Sequence, residues 1–264
     1  MTLVNQDVFD RVSEGSLSFR QEDPYANALI NLRISLMKRH CTNAAVLDLG
    51  CGSGEYTLLA ARHARSVVGL DYSRRMLDAA RKRARQDNAE HLFFIKANAH
   101  HICCKNSAFD TAYSFATLYF IPEVQKTVAE IARILKPGGY AILCFGNRWS
   151  LNALFNRTAS SGLKVFLHTP REMWKMLKEA GLAIEEVRRF QLLPMYPGRL
   201  FKTRWLGRLA GRIASGEGLA MRWLLSRKLG EKTLDERICS WPVFRLFAYR
   251  HLFICRKDNH EGDH

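Results

Sequence analysis

Residues 46–54, Val-Leu-Asp-Leu-Gly-Cys-Gly-Ser-Gly, constrain this chain more than any other stretch. An apolar strand runs into a Gly-x-Gly-x-Gly turn, and the helix formers Leu58, Leu59, Ala60 and Ala61 follow. Glycine is required where the backbone takes positive φ, or where a ligand must lie directly against the main chain. A helix starting there offers unpaired N–H groups and its positive end to a carboxylate or phosphate. Residues 66–71, Ser-Val-Val-Gly-Leu-Asp, read as the next strand and end on Asp71, 21 residues after Gly50. In doubly wound sheets an acid at that tip accepts hydrogen bonds from both ribose hydroxyls of a nucleoside cofactor. A surface turn, or a helix cap with Ser73 as rival, is the plainer role for Asp71. The spacing and the strand before it favour the nucleoside.

The residues also carry a resemblance. Asp48-Leu49-Gly50-Cys51-Gly52-Ser53-Gly54, followed by Gly69-Leu70-Asp71, resembles the class I S-adenosylmethionine-dependent methyltransferases, close to their type 11 group. Lys96-Ala97-Asn98-Ala99 stands where that family writes G-D-A, and Ser107-Ala108-Phe109-Asp110 resembles the S-F-D that opens its fourth strand. Residues 131–139, Ile-Ala-Arg-Ile-Leu-Lys-Pro-Gly-Gly, are similar to its R-x-L-K-P-G-G turn. The matches keep the family's order over about residues 44 to 145.

The resemblance implies an α/β fold: a Rossmann-like, doubly wound, seven-stranded sheet, mostly parallel with an antiparallel last strand. It implies S-adenosyl-L-methionine as cofactor and methyl transfer by in-line displacement as the reaction. By the same resemblance Gly50, Cys51, Gly52 and Gly54 lay main chain against the cofactor, and Asp48 organises that turn and approaches the amino group. Asp71 holds the ribose, Tyr72 lies beside the adenine, and Asn98 and Ala99 occupy the adenine edge. Asn98 departs from the usual aspartate, although its carbonyl still accepts a hydrogen bond. Ser114 and Phe115 flank the methionine part.

With 264 residues, the chain suits one α/β domain with additions. No run of about 18 apolar residues exists to span a bilayer. The N-terminus, with Asp7, Asp10 and Arg11, lacks a signal-peptide core. Seven cysteines scattered without a framework suggest a reducing compartment. The expected location is cytoplasmic, with peripheral attachment at the inner membrane face. The net charge of +15 is uneven: residues 1–145 hold 18 basic and 14 acidic side chains, residues 188–257 hold 16 and 4.

Strand and helix alternate as strand 45–49, helix 55–64, strand 66–70, helix 74–86, strand 92–96, strand 110–115, helix 123–135 and strand 139–145, which argues a parallel sheet. Helix 170–180 and strand 182–190 follow, and strand 247–255 closes the pattern. This divides the chain into an N-terminal helical cover (1–40), the cofactor-binding domain (41–190 and 247–257), a basic amphipathic insertion (191–246) and a disordered tail (258–264).

Within the insertion Arg204, Arg208 and Arg212 line one helical face, and Phe201, Trp205, Leu209 and Ile213 an adjacent one. A basic helix backed by tryptophan and leucine suits an anionic membrane surface, through residues 199–228. Packing of these aromatics on the sheet as a cap ranks ahead of that membrane or lipid-substrate surface, and nucleic acid ranks last. The acceptor side is poorly marked. Tyr25, Tyr119 and His168 are candidates for the substrate pocket, and no catalytic residue is assigned. His100-His101-Ile102-Cys103-Cys104 invites a metal site, but neighbouring residues rarely share one tetrahedral ion. The expected acceptor is a small or amphiphilic molecule. An RNA- or protein-directed methyltransferase and a non-catalytic cofactor-binding module are the alternatives.

Overall fold

A computed structural model describes residues 24–87, 89, 91–150, 152–153, 164–192 and 223–259. In chain order the elements are α1 (Pro24–Cys41), β1 (Ala45–Leu49), α2 (Glu55–Ala61), β2 (Ser66–Asp71), α3 (Arg74–Gln86), β3 (Leu92–Lys96), β4 (Phe109–Ser114), α4 (Val124–Ile134) and β5 (Leu135–Gly146). Then come α5 (Pro170–Glu179), β6 (Leu182–Phe190), β7 (Lys228–Leu229), β8 (Lys232–Thr233), α6 (Leu234–Ser240) and β9 (Arg250–Lys257).

The main sheet has seven strands in the order β3-β2-β1-β4-β5-β9-β6. The first five run parallel, and β9 lies antiparallel between β5 and β6. The order reverses between β1 and β4, and in open α/β sheets ligands bind beyond the strand ends at such a point.

Period-two alternation along the central strands builds two cores. Leu47, Leu49, Ala112, Leu143, Phe145 and Phe253 face α4 and α5, where Val128, Ile131 and Leu177 are fully buried. Val46, Tyr113, Ile142, Cys144 and Leu252 face Leu36 and Met37 of α1 and Ala60 of α2. Burial on both faces is why these strands read as apolar runs.

Local chemistry sets the helix limits. The Ser73 hydroxyl accepts from the Met76 N–H at 3.2 Å and starts α3, which buries Met76, Leu77, Ala80 and Ala84. Arg74, Arg75, Lys82 and Arg85 of α3 point to solvent, as a charged outer face would. Thr169 and Glu172 form a capping box ahead of Pro170, and Gly181, at φ 69°, follows the end of α5.

Several limits differ from the sequence expectation. Strand β5 begins at Leu135 rather than 139, because Leu135 already pairs with Phe109 before a register shift. Strand β9 begins at Arg250 rather than 247. The Asn147 side-chain amide donates to the Leu246 and Ala248 carbonyls at 2.6 and 2.9 Å, which draws that segment off the ladder. The Arg204–Arg208–Arg212 row and its apolar neighbours lie outside the described residues. In residues 223–246 the structure adds the β7–β8 hairpin and α6, which the sequence did not announce. Arg188 of β6 holds α6 through Glu236 at 2.7 Å, both side chains nearly buried. Asp235 accepts from the Gln191 and Leu192 N–H groups.

Candidate functional site

The glycine turn between β1 and α2 sits at the switch point. Gly50, Gly52 and Gly54 have φ of 75°, 53° and 84°, a region that side-chain-bearing residues enter only with strain. Their surroundings differ. A Cβ on Gly50 would lie 2.1 Å from the Thr117 Oγ1, so Thr117 fills that place and donates to the Gly50 carbonyl at 3.2 Å. Among the described residues, a Cβ on Gly52 would meet nothing within 4 Å. Bare main chain at Gly52 therefore faces a space open among those residues.

Asp71 ends β2 half-buried beside this turn. One carboxylate oxygen accepts from the Gly52 N–H and the other from the Ser73 N–H, each at 2.9 Å. Each oxygen has a second lone pair, so the carboxylate is oriented without being saturated by those two bonds. Asp48 is buried beneath the turn and accepts from the Thr57 hydroxyl at 2.7 Å. Burial pushes its carboxyl up to about 7, against the lowering effect of the Thr57 hydrogen bond. Cys51 is buried, and its Sγ would stand 3.1 Å from a Cβ on Gly69.

The remaining expected cofactor residues lie along the same edge with differing exposure. Tyr72 is half-buried, with the Lys96 ammonium 5.9 Å from its ring centre. The Asn98 side-chain carbonyl accepts from the His100 N–H at 3.0 Å, and the Ala99 side chain belongs to the core. The Ser114 hydroxyl is fully buried and donates to the Leu49 carbonyl at 2.9 Å, leaving only its main chain at the edge. Phe115 stacks on Tyr113 and meets Tyr56 edge-on.

The acceptor candidates separate. Tyr25 lies in the first turn of α1, and its side chain is outside the described residues. Tyr119 and His168 converge on the end of β5: the Phe166 N–H donates to the Tyr119 carbonyl at 2.7 Å, and the His168 N–H to the Gly146 carbonyl at 3.1 Å. Burial lowers the His168 pKa. Its Nε2 is buried and has no hydrogen-bond partner among the described residues, while its Nδ1 is 3.9 Å from the Glu172 carboxylate. In the His-His-Ile-Cys-Cys stretch, a His100 ring nitrogen is 2.8 Å from the Pro122 carbonyl and Ile102 packs in the core.

Two residues escaped the sequence reading. Thr117 carried no signal, since its role depends on the fold bringing it to Gly50. Arg33 of α1 is 7% exposed, donates to the Tyr56 hydroxyl at 2.6 Å and lies over the Tyr56 and Phe115 rings. A basic residue amid the leucines of an amphipathic helix was its only trace.

A backbone cradle at a helix start, a carboxylate at the second strand tip and this strand order define a class: the Rossmann-like domains of S-adenosylmethionine-dependent methyltransferases. The comparisons agree. The methyltransferase-domain family matches residues 47–143, and that stretch is a class I S-adenosylmethionine-dependent methyltransferase domain of the type 11 group. Demethylmenaquinone methyltransferase of Lactococcus lactis is 29% identical over 157 residues, 54% of this chain and 60% of that protein. That of Lactiplantibacillus plantarum is 36% identical over 101 residues, 37% and 43% of the two chains. The chain thus spans about half the length of the curated relatives it matches. Phosphoethanolamine N-methyltransferase 2 of Haemonchus contortus, solved with S-adenosyl-L-methionine, has the same fold at 21% identity and a TM-score of 0.59, over 86% of this chain and 52% of that one. No helix of the described residues is long and apolar enough to cross a membrane.

Proposed function

We propose that the protein transfers a methyl group from S-adenosyl-L-methionine to a small-molecule or lipid-like acceptor. The observation that carries this reading is the open space above Gly52, flanked by the half-buried Asp71 carboxylate. The residues present fit the cofactor. When bound, S-adenosylmethionine supplies a methyl already activated by a positive sulfur, suited to in-line displacement, so the protein mainly orients and excludes water.

In this reading the main chain of Gly50, Cys51, Gly52 and Gly54 supports the cofactor, and Asp71 accepts from the ribose hydroxyls. Tyr72, Asn98 and Ala99 border the adenine, and Ser114 and Phe115 the methionine part. Asp48 orients the turn through Thr57. Arg33, buried over Phe115, adds a cation suited to the methionine carboxylate. Asp71→Ala should weaken cofactor binding by about 1–3 kcal/mol. Calorimetric titration checks it; an unchanged Kd removes Asp71 from the site.

Both curated relatives are named for demethylmenaquinone, a ring-bearing amphiphile, which favours an acceptor of that kind. An anionic membrane surface is proposed as its source. Trp223, Trp241, Val243, Phe244, Leu246 and Phe247 are exposed beside Arg227, Arg237 and Arg245. Aromatic side chains with basic neighbours suit a lipid interface. Vesicles with anionic lipid should co-sediment the protein and neutral vesicles should not; equal, negligible binding to both removes the membrane from the account.

Labelled S-adenosylmethionine offered with lipid, small polar, RNA and protein fractions tests the acceptor class. Label should appear in the lipid or small polar fraction. Transfer only to RNA or protein would favour a macromolecule-directed enzyme, and cofactor binding without any transfer would favour a non-catalytic module.

A further inference from the structure

The fold pairs the buried Arg188 and leaves the half-buried Arg250 without a carboxylate among the described residues. Arg188 meets Glu236 at 2.7 Å and Glu186 at 3.1 Å. Arg250, at the start of β9, has no ion pair among the described residues. Its Nε donates to the Gln191 side-chain carbonyl at 3.3 Å, while its Nη1 is buried and has no hydrogen-bond partner among the described residues. The guanidinium carbon sits 4.3 Å from the Tyr119 ring centre and 4.9 Å from that of Tyr249. Stacking on two rings compensates a half-buried cation only in part, because its N–H groups still need acceptors.

The position ties this cation to the site. Arg250 pairs with Gly146 in the β5–β9 register, and residues directly opposite one another share a face. A Cβ on Gly146 would lie 2.6 Å from Leu167 and 3.4 Å from Tyr119, so glycine there lets Tyr119 approach the sheet. Tyr119 follows two residues after Thr117, which touches Gly50 of the glycine turn. The guanidinium therefore lies beyond the cofactor cradle, on the side of the candidates Tyr119, which is buried, and His168, which is half-buried.

We propose that Arg250, between Tyr119 and Tyr249, is a subsite for an anionic oxygen carried on an aromatic acceptor. The arginine supplies the charge and two donors, and the tyrosine rings supply flat apolar walls. This rests on the methyltransferase reading above and names the chemistry of its acceptor: a ring bearing a carboxylate or a phenolate oxygen.

The test is calorimetric titration of the full chain with saturating S-adenosylhomocysteine. The probes are naphthalene-2-carboxylate, 4-nitrophenolate and the neutral naphthalene-2-carboxamide. At least one anion should bind the wild type better than the amide, and which one binds identifies the oxygen. Arg250→Gln should weaken that anion about tenfold or more and Arg250→Lys by less, with homocysteine-cofactor affinity unchanged in both. Equal anion binding in wild type and Arg250→Gln overturns the proposal. So does a parallel loss of cofactor product and anion, which marks a structural arginine. Should Arg250→Gln not fold, the wild type decides: the anion must raise its Tm above the amide's effect, and no difference overturns the subsite. Failure of S-adenosylhomocysteine itself to bind would instead sink the methyltransferase reading.

Discussion

Gly52→Ala should fold and yet bind S-adenosylmethionine about a thousandfold more weakly, a loss of about 4 kcal/mol. Two effects separate cleanly here. A Cβ at φ 53° strains the backbone by about 1–2 kcal/mol. The same methyl projects into space that none of the described residues fills, where the cofactor is proposed to lie. Gly181 provides the control: its φ is 69° and a Cβ there also meets nothing within 4 Å, but it lies at the end of α5, away from the turn. Gly181→Ala should show a similar fall in stability and unchanged cofactor affinity. Denaturation and calorimetry on both variants decide it. If Gly52→Ala binds as tightly as Gly181→Ala, the space above Gly52 is not where the ligand sits. Gly50→Ala is not a substitute test, because its collision with Thr117 would confound folding with binding.

Asp48→Asn should remove a large pH dependence of stability. A carboxyl whose folded pKa is about 7 lies well above the ordinary value near 3.9 of the unfolded chain. Below about pH 4 the group is protonated in both states and costs nothing. Between about pH 4 and 7 the unfolded chain ionises while the folded one retains its proton, so stability falls as pH rises, by up to about 4 kcal/mol. Above about pH 7 the loss levels off. The amide cannot ionise and still offers Thr57 an acceptor. Asp48→Asn should therefore be the more stable protein at pH 8 by up to about 4 kcal/mol, with little advantage at pH 4. Urea unfolding at the two pH values measures it; a wild type whose stability gap to Asp48→Asn does not widen between them contradicts a burial-shifted carboxyl.

The fold was legible because its strongest signals are local. Strands β1, β3 and β6 and helix α3 begin and end where the sequence pattern places them, since apolar runs, Ser73 and the glycines act through near neighbours. The two strand starts that moved by more than one residue are governed from elsewhere: Leu135 by Phe109, and the lead-in to β9 by Asn147, about a hundred residues away. The same distinction holds at the site. The Gly-x-Gly-x-Gly turn and Asp71 announce themselves by spacing. Arg33, Thr117 and Arg250 do not, because an arginine's burial between rings and a threonine's contact with a distant glycine exist only after folding. The β7–β8 hairpin is too short to leave a periodic trace, although Gly230, at φ 74°, sits in its turn.

The most direct measurement is a crystal structure with S-adenosylhomocysteine bound. The account predicts its ribose hydroxyls on the Asp71 carboxylate and its homocysteine moiety over Gly52. An adenosine bound at any other place, with no ribose hydroxyl on the Asp71 carboxylate, would contradict it.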